Sequence, residues 1–216
     1  MSCTLTIKNL SIFKNEKTIL KNIDINLSHK CKVAILGDNG IGKTTFLKSI
    51  VGLEKIDGLI EFFHKRVSSE KEFKEARKNI GFLFQNPDDQ LITTSVLEEL
   101  TFTLLNKNFT EDEAVKIAKE YLKKFNISYL ENELPINLSG GQKKLVALLS
   151  ILVDEPKILL LDEPSSYLDN KSEKNIKDIL INTDKTMIIT SHNYDFIKDI
   201  ATAIYKLNSN GLEKVV

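Results

Sequence analysis

The sequence predicts an α/β protein whose core is a parallel β-sheet with helices on both faces. Three short apolar runs, at residues 33–36, 158–161 and 187–190, indicate buried strands. Segments with helical periodicity lie between them. Continuous apolar strands that are flanked by helices favour a parallel sheet, because such a sheet is buried on both sides.

The N-terminal part of the chain is predicted to form an antiparallel β part beside this core. Its apolar residues alternate with polar ones, as in half-buried strands: Leu5, Ile7, Ile19, Ile23, Ile25 and Leu27. A further strand is predicted at residues 59–63, after a turn at Asp57 and Gly58. Residues 68–78 are strongly charged and are expected to form an exposed or helical segment.

Residues 86–135 are predicted to form a helical lobe within a single domain, inserted between the two parts of the α/β core, residues 1–85 and 136–216. Thr110 and Glu113 have the spacing of a capping box. Apolar residues then recur at spacings of three and four, as on one face of a helix: Ala114, Ile117, Ala118, Tyr121, Leu122 and Phe125. We therefore expect a helix to begin after Thr110.

The composition excludes several classes of protein. The 216 residues contain 30 Lys and Arg against 30 Asp and Glu, so no net charge steers the chain toward nucleic acid. No segment approaches the roughly 20 apolar residues of a membrane helix, and the first residues do not resemble a signal peptide. Two cysteines suit a reducing cytosol. We expect a cytoplasmic protein whose membrane association, if any, comes through a partner.

A glycine-rich segment follows the strand predicted at residues 33–36 and precedes a helical pattern at 44–51. We call residues 37–45 the phosphate loop; they are Gly37, Asp38, Asn39, Gly40, Ile41, Gly42, Lys43, Thr44 and Thr45. Glycines let backbone N–H groups point at phosphate oxygens, so this loop predicts a nucleotide site. We expect Lys43 to reach the β- and γ-phosphates, Thr44 to bind Mg²⁺ and Thr45 to contact the α-phosphate.

Asp162 and Glu163 stand at the end of the strand predicted at residues 158–161. There Asp162 can hold Mg²⁺ through water, and Glu163 can orient or deprotonate the water that attacks phosphate. Two acidic residues at a strand end can also be merely solvated, but the phosphate loop supplies the other half of a site.

Two further polar residues follow predicted strands. His192 comes after residues 187–190, where it can lie near the γ-phosphate. Gln85 follows the apolar residues 82–84 and could reach both Mg²⁺ and the attacking water. Taken alone, His192 is explained equally well as a structural histidine, and Gln85 is explained as a turn residue.

A second glycine loop carries a family resemblance. It reads Leu138, Ser139, Gly140, Gly141 and Gln142, and we call residues 139–142 the signature loop. It stands with the phosphate loop, Gln85, Asp162, Glu163, His192 and the segment 165–169 in the order of the nucleotide-binding domains of ATP-binding cassette (ABC) transporters. The chain resembles these domains over nearly its whole length, which implies a P-loop NTPase fold of ABC type.

A narrower resemblance rests on one octapeptide. Residues 84–91 are similar to the corresponding stretch of the energy-coupling-factor ATPases, which belong to importers of cobalt and vitamins. The resemblance therefore implies an ATP-hydrolysing subunit of an importer of this type, with ATP and Mg²⁺ as its ligands.

The family resemblance also implies partners. Two ATPase subunits, identical or homologous, would pack head to tail and hold each ATP between the phosphate loop of one and the signature loop of the other. Asp169 would link the two subunits. The lobe at residues 86–135 would receive a coupling helix from an integral membrane subunit, which would place the chain on the inner face of the cell membrane.

The same resemblance implies roles within the ATP site. Phe13 stands where an aromatic ring stacks on adenine. Glu163 would be the catalytic base, His192 a switch that senses the γ-phosphate, and Gln85 a sensor near Mg²⁺.

Three features depart from the family pattern. Leu145 stands where the family commonly has Arg, so a salt link is expected to be missing from the helix after the signature loop. Tyr167 occupies a position where small residues are frequent. Energy-coupling ATPases often have a further C-terminal segment that holds the dimer, and the chain ends soon after Gly211, which implies a dimer that depends on nucleotide.

Two alternative functions stand beside a transport ATPase. One is an ABC ATPase that acts on DNA or ribosomes, but the coiled coil or the second cassette of such proteins is absent from the sequence. The other is a regulatory module that binds ATP without hydrolysing it. Intact Lys43, Asp162, Glu163 and His192 argue against this second alternative.

Overall fold

A computed structural model of the protein describes residues 3–208 and 211–215. Its strands are β1 (Cys3–Lys14), β2 (Lys17–Ser28), β3 (Lys32–Leu36), β4 (Lys55–Phe62), β5 (Lys65–Val67), β6 (Ile80–Leu83), β7 (Ile158–Asp162), β8 (Thr186–Ser191), β9 (Ala203–Asn208) and β10 (Gly211–Lys214). Its α-helices are α1 (Lys43–Ile50), α2 (Glu70–Arg77), α3 (Val96–Leu105), α4 (Glu111–Lys124), α5 (Gly140–Leu152), α6 (Asn170–Asn182) and α7 (Tyr194–Ile197).

The larger sheet confirms the predicted fold class. Its strand order is β10-β9-β3-β8-β7-β6, and all pairs are parallel except that of β9 with β10. Side chains of β7 alternate between two apolar clusters: Leu159 and Leu161 face the cluster formed with α3 to α7, while Ile158 and Leu160 face the cluster formed with α1 and the N-terminal sheet. The sheet is therefore buried on both faces.

The N-terminal sheet is antiparallel, as predicted, with the order β2-β1-β4-β5. The turn predicted at Asp57 and Gly58 is wrong, because both residues lie inside β4. Gly58 has φ 124° and faces an irregularity in β1, where a Cβ on it would lie 2.7 Å from the carbonyl oxygen of Asn9. The glycine allows this close approach of two strands rather than a reversal of the chain. The apolar alternation predicted for this sheet also differs at one position: Ile19 is exposed, and its neighbour Leu20 packs in the core instead.

Residues 86–135 contain α3, α4 and two 3-10 helices, Pro87–Asp89 and Ser128–Leu130, with no strand among them. The capping box predicted at Thr110 and Glu113 is confirmed, and the charged segment at 68–78 contains α2. Buried side chains of α3 and α4 join those of α5 in one apolar cluster with the parallel sheet. The helices of this segment therefore rest on α5, the helix that follows the signature loop.

Within the described part of the chain, no helix is both long enough and apolar enough to cross a membrane.

Candidate functional site

The predicted catalytic and metal-binding residues lie at one edge of the parallel sheet. The phosphate loop follows β3, Gln85 follows β6, the Asp162 and Glu163 pair ends β7, and His192 follows β8. These four strands are neighbours or near neighbours and run in the same direction. Their carboxyl ends therefore meet at the edge where ligands bind in parallel α/β sheets.

The phosphate loop leads into α1 without a side-chain cap. Its last glycine, Gly42, is the N-cap residue with φ 108° and makes no side-chain hydrogen bond to the helix. Gly40 also has a left-handed backbone, with φ 82°. A Cβ on Gly42 would lie 3.3 Å from Leu20, so glycine fits both the backbone and the space here. The N–H groups of the first turn remain available to an anion.

Lys43 is a buried cation at the centre of the site. Its Nζ donates to the carbonyl oxygens of Gly37 (2.6 Å) and Asp38 (3.0 Å). The same Nζ lies 2.9 Å from Oε1 of Glu163, and both side chains are almost fully buried. A phosphate at this point would replace the carboxylate as the anion next to Lys43.

Glu163 stands between Lys43 and His192. Its Oε2 lies 2.9 Å from Nδ1 of His192, whose side chain is half-exposed. The backbone of Glu163 has φ 47°, uncommon for a residue other than glycine, and its N–H donates to the carbonyl oxygen of Thr190 (3.1 Å). This turn brings the carboxylate out of the strand direction and toward the phosphate loop.

Asp162 contacts both neighbouring elements. Its Oδ2 accepts a hydrogen bond from Oγ1 of Thr44 (2.6 Å), and its Oδ1 accepts one from Oγ1 of Thr190 (2.8 Å). Gln85 and Thr44 both line a cavity of about 210 Å³ with Glu163 and the phosphate loop. A hydroxyl, an amide oxygen and a carboxylate are the hard oxygen donors that Mg²⁺ prefers, so these residues fit the ion.

Phe13, predicted to stack on adenine, does not line this cavity. It lies near the end of β1, half-buried, and is paired across the sheet with Thr18 of β2 and Lys55 of β4. The hairpin that carries it also supplies Ile19 and Leu20, which lie next to Gly42. The role of Phe13 stays a prediction.

The signature loop is not part of the cavity at Lys43. Ser139 caps α5 and forms a capping box with Gln142: Oγ of Ser139 accepts from the Gln142 N–H (3.3 Å), and the Ser139 N–H donates to Oε1 of Gln142 (2.8 Å). Ser139 and Gly140 are exposed. The loop therefore presents an open helix N-terminus, which carries a partial positive charge, on a different part of the surface.

Gly141 and Asp169 meet α6 beside this loop. Asp169 caps α6, since its Oδ1 accepts from the Ser172 N–H (2.8 Å), and this backbone hydrogen bond holds the pKa of Asp169 below its usual value. A Cβ on Gly141 would lie 2.2 Å from Oγ of Ser172. Gly141 thus permits tight packing of α5 on α6. The predicted link from Asp169 to another subunit stays a prediction.

Two contributors to the site were missed from the sequence. Thr190, already inside a predicted strand, is the residue paired with Asp162 in the parallel register, and its hydroxyl orients that carboxylate. Lys144 is buried next to Gln85. The sequence does contain a signal for Lys144, because it is a lysine in the apolar part of a predicted helix, where a buried charge needs hydrogen-bond partners.

The parallel sheet, the phosphate loop and the acidic pair at its edge define a P-loop ATPase. Over residues 20–166 the chain matches the family model described as ABC transporter. A curated relative, the energy-coupling factor transporter ATP-binding protein EcfA of Methanothermobacter thermautotrophicus, is 36% identical over 89% of this chain and 64% of its own length. The chain belongs to the ABC transporter family: it is an ATP-binding subunit of such a transporter, and it hydrolyses ATP.

Two solved structures are similar over nearly the whole chain. The structure of cbiO1 from Clostridium perfringens, described as part of the ABC transporter complex cbiONQ, matches with a TM-score of 0.85 and 31% identity, covering 99% of this chain and 88% of that one. A dimeric post-hydrolysis structure of the ATP-binding cassette MJ0796, bound to ADP and Pi, matches with a TM-score of 0.86 and 29% identity, covering 97% and 96%.

Proposed function

We propose that this protein powers an importer of the energy-coupling-factor type, which takes up a metal ion or a vitamin. The reaction is hydrolysis of ATP to ADP and phosphate. The observation that carries the ATPase part of the proposal is the buried pair of Lys43 and Glu163, with the half-exposed His192 on the same carboxylate and with Thr44 and Asp162 beside it. The similarity to EcfA and to cbiO1 supports this importer type.

The chain's own residues can perform the chemistry. Lys43 and the N–H groups at the start of α1 bind the phosphates and stabilise the negative charge that develops on them. Glu163 accepts the proton of the water that attacks the γ-phosphorus, while the bond to the bridging oxygen breaks. His192, bonded to the same carboxylate, orients it, and its half-exposed ring would sense the γ-phosphate.

Thr44, Asp162 and Gln85 are the residues that would hold Mg²⁺. When bound, the ion supplies charge neutralisation on the phosphate oxygens. Thr190 keeps the Asp162 carboxylate in place through its hydrogen bond to Oδ1.

The protein acts as a head-to-tail dimer in this proposal. The signature loop of one subunit caps the ATP held by the phosphate loop of the other, with Asp169 at the contact between subunits. The dimeric MJ0796 cassette, bound to ADP and Pi, supports such an assembly. The exposed N-terminus of α5 has the partial charge that a γ-phosphate requires.

An integral membrane subunit is the second partner, and it would hold the chain at the inner face of the membrane. An apolar groove of about 250 Å³ lies on the core next to the strand that leads to Gln85. It is lined by Val51, Leu53, Arg77, Ile80, Phe82 and Phe84. On the neighbouring lobe, Phe102 and Leu105 of α3 are exposed one turn apart. An amphipathic helix of a membrane subunit fits a surface of this kind.

Three measurements test the proposal. Purified protein with Mg²⁺ and ATP should release phosphate, and the Glu163→Gln variant should sediment as a dimer with ATP and as a monomer without it. In cells, an affinity-tagged chain should co-purify with a polytopic membrane protein, and Leu53→Asp should abolish this association while ATP-dependent dimerisation persists. Co-purification with soluble proteins only would contradict the transport role and leave the ATPase assignment intact.

A further inference from the structure

A buried lysine connects the signature helix to the segment that carries Gln85. Lys144 of α5 is 1% exposed. Its Nζ donates to the carbonyl oxygen of Gln85 (2.5 Å) and lies 3.3 Å from that of Phe84. An ammonium group in the interior is costly unless it is hydrogen-bonded, so these two carbonyls are the partners that keep Lys144 in place.

Two other side chains fasten the same segment, residues 84–90, which we call the Gln85 loop. The side-chain amide of Gln90 accepts from the Phe84 N–H (3.1 Å) and donates to the carbonyl oxygen of Ala147 in α5 (2.8 Å). Lys143 forms an ion pair with Asp88 (2.6 Å). The Gln85 loop is therefore attached to α5 along two turns of that helix.

The charge of Lys144 also faces the catalytic carboxylates. Burial lowers the pKa of Lys144 to about 8, and the negative charges of Asp162 and Glu163 oppose this shift.

We propose that Lys144 is a positioning residue that transmits the position of the signature loop to Gln85. The inference rests on the proposed head-to-tail dimer. The signature loop begins α5 and belongs to the ATP site shared with the partner's phosphate loop, whereas Gln85 belongs to the site of its own chain. Lys144 lies two residues after the signature loop, so a shift of α5 at one ATP site moves the backbone of Gln85 at the other.

The test compares Lys144→Met, which keeps an unbranched side chain only one atom shorter but removes the donor, with Lys144→Arg, which keeps the charge and the donors. The matched control is Lys32→Met. Lys32 also donates to two consecutive carbonyls, those of Leu180 (2.9 Å) and Ile181 (2.6 Å), but it does so at the C-terminal end of α6. Both methionine variants remove a lysine that donates to two carbonyl oxygens, but only Lys144→Met removes a contact with the Gln85 loop.

Steady-state kinetics should separate binding from catalysis. In Lys144→Met we expect kcat to fall about tenfold to a hundredfold with KM changed less than about threefold, because a small displacement of a positioning group impairs the chemical step. Lys144→Arg should recover kcat to within about threefold, and Lys32→Met should keep the wild-type kcat.

Hydrogen exchange gives a readout that does not depend on turnover. In the Glu163→Gln background, ATP and Mg²⁺ should slow exchange of the amides in the Gln85 loop. The added Lys144→Met change should abolish most of this protection while sedimentation still shows the ATP-bound dimer. Lys32→Met should leave the protection unchanged.

Unchanged protection together with a kcat within about twofold of wild type in Lys144→Met would overturn the proposal. Should that variant unfold, Lys144→Gln, whose neutral amide ends one bond closer to the backbone, is measured in the same way. A lower kcat with lost protection in it would support the proposal, and wild-type values of both would overturn it. If wild-type protein released no phosphate, the proposed function would fail, while exchange at the Gln85 loop would still decide the role of Lys144.

Discussion

The two glycine loops both stand at the N-terminus of a helix, but they are built for different tasks. In the phosphate loop, Lys43 is buried and held by two carbonyls and Glu163, and α1 begins without a side-chain cap. In the signature loop, the side chains of Ser139 and Gln142 bond to the backbone of their own helix. The phosphate loop is held by contacts of Lys43 and leaves the N-terminus of its helix open to a ligand of the same chain. The signature loop is held by its own capping box and is exposed.

Because of this difference, we expect substitutions in the two loops to have different effects on the protein. At Gly42 the absence of a cap leaves N–H groups to be satisfied by phosphate, so ligand binding completes the fold of α1. At Ser139 the cap already satisfies the Gln142 N–H, and Ser139 and Gly140 are exposed at the start of the helix. Substitutions in the first loop should act on the chain's own site, and substitutions in the second should act through the partner.

The largest effect is expected from Glu163→Gln, which tests the claim that the phosphate loop works with a catalytic carboxylate of its own chain. Glutamine has nearly the same shape but cannot accept the proton of water. We expect kcat to fall about a hundredfold or more, with ATP affinity preserved or increased because the carboxylate no longer competes for Lys43. Phosphate release and equilibrium binding of ATP measure the two quantities. Turnover near the wild-type rate would remove Glu163 from the role of base.

The second prediction separates the two glycines of the signature loop. A Cβ at Gly141 would lie 2.2 Å from Oγ of Ser172, whereas one at Gly140 would approach nothing closer than 3.9 Å. Gly141→Ala should therefore lower the free energy of unfolding by about 1–3 kcal/mol through overpacking. Gly140→Ala should change it by less than about 1 kcal/mol, mainly through helix propensity.

Urea unfolding of the monomer measures both variants. The double variant Gly141→Ala with Ser172→Gly removes the atom that clashes and should regain most of the lost stability. If Gly141→Ala unfolds like wild type, the packing of α5 on α6 does not require this glycine, and its need for glycine would lie only in the contact with the partner.

The sequence was sufficient for the parts of the site that depend on local spacing. The phosphate loop, the acidic pair Asp162 and Glu163 at a strand end and the helix after Thr110 each follow from residue types at fixed distances along the chain, whereas the choice of His192 needed the family resemblance. Contacts across strands were not accessible in this way. The bond from Thr190 to Asp162 depends on the register of β7 and β8, and no local pattern sets that register.

One error and two omissions remain. Asp57 and Gly58 have the composition of a turn, but the irregularity in β1 determines their conformation, and that lies more than forty residues away in the chain. Lys144 was hidden because a lysine on a helix is usually exposed, and only the fold of the Gln85 loop over α5 supplies carbonyls to it. The capping box at Ser139 was visible as a Ser-x-x-Gln pattern but was assigned only a ligand role.

The third prediction uses that cap. Ser139→Ala removes the oxygen that accepts from Gln142 and should cost about 1 kcal/mol of stability. ATP binding by the monomer should be unchanged, while ATP-driven dimerisation should weaken. Ser69→Ala is the matched control, because Ser69 forms the same kind of capping box with Glu72 at the start of α2. It should lose similar stability without any effect on sedimentation of the dimer. Equal dimerisation by both variants would show that Ser139 serves only the helix.

The smallest effect concerns the acid sensitivity of the capping boxes. The N–H groups of Ser68 and then Ser69 donate to the Glu72 carboxylate and lower its pKa from 4.5 to about 2. Because the folded pKa is depressed, this contribution to stability is fully present above pH 4.5 and is lost as the pH falls toward 2. The box at Ser139 is closed by Gln142, which has no carboxylate to protonate.

A carbon-13 titration should place the Glu72 midpoint near 2, with the Ser139 amide shift constant over the same range while the chain stays folded. A Glu72 midpoint near 4.5 would show that its box is open in solution, and the contrast between the charged and neutral caps would disappear.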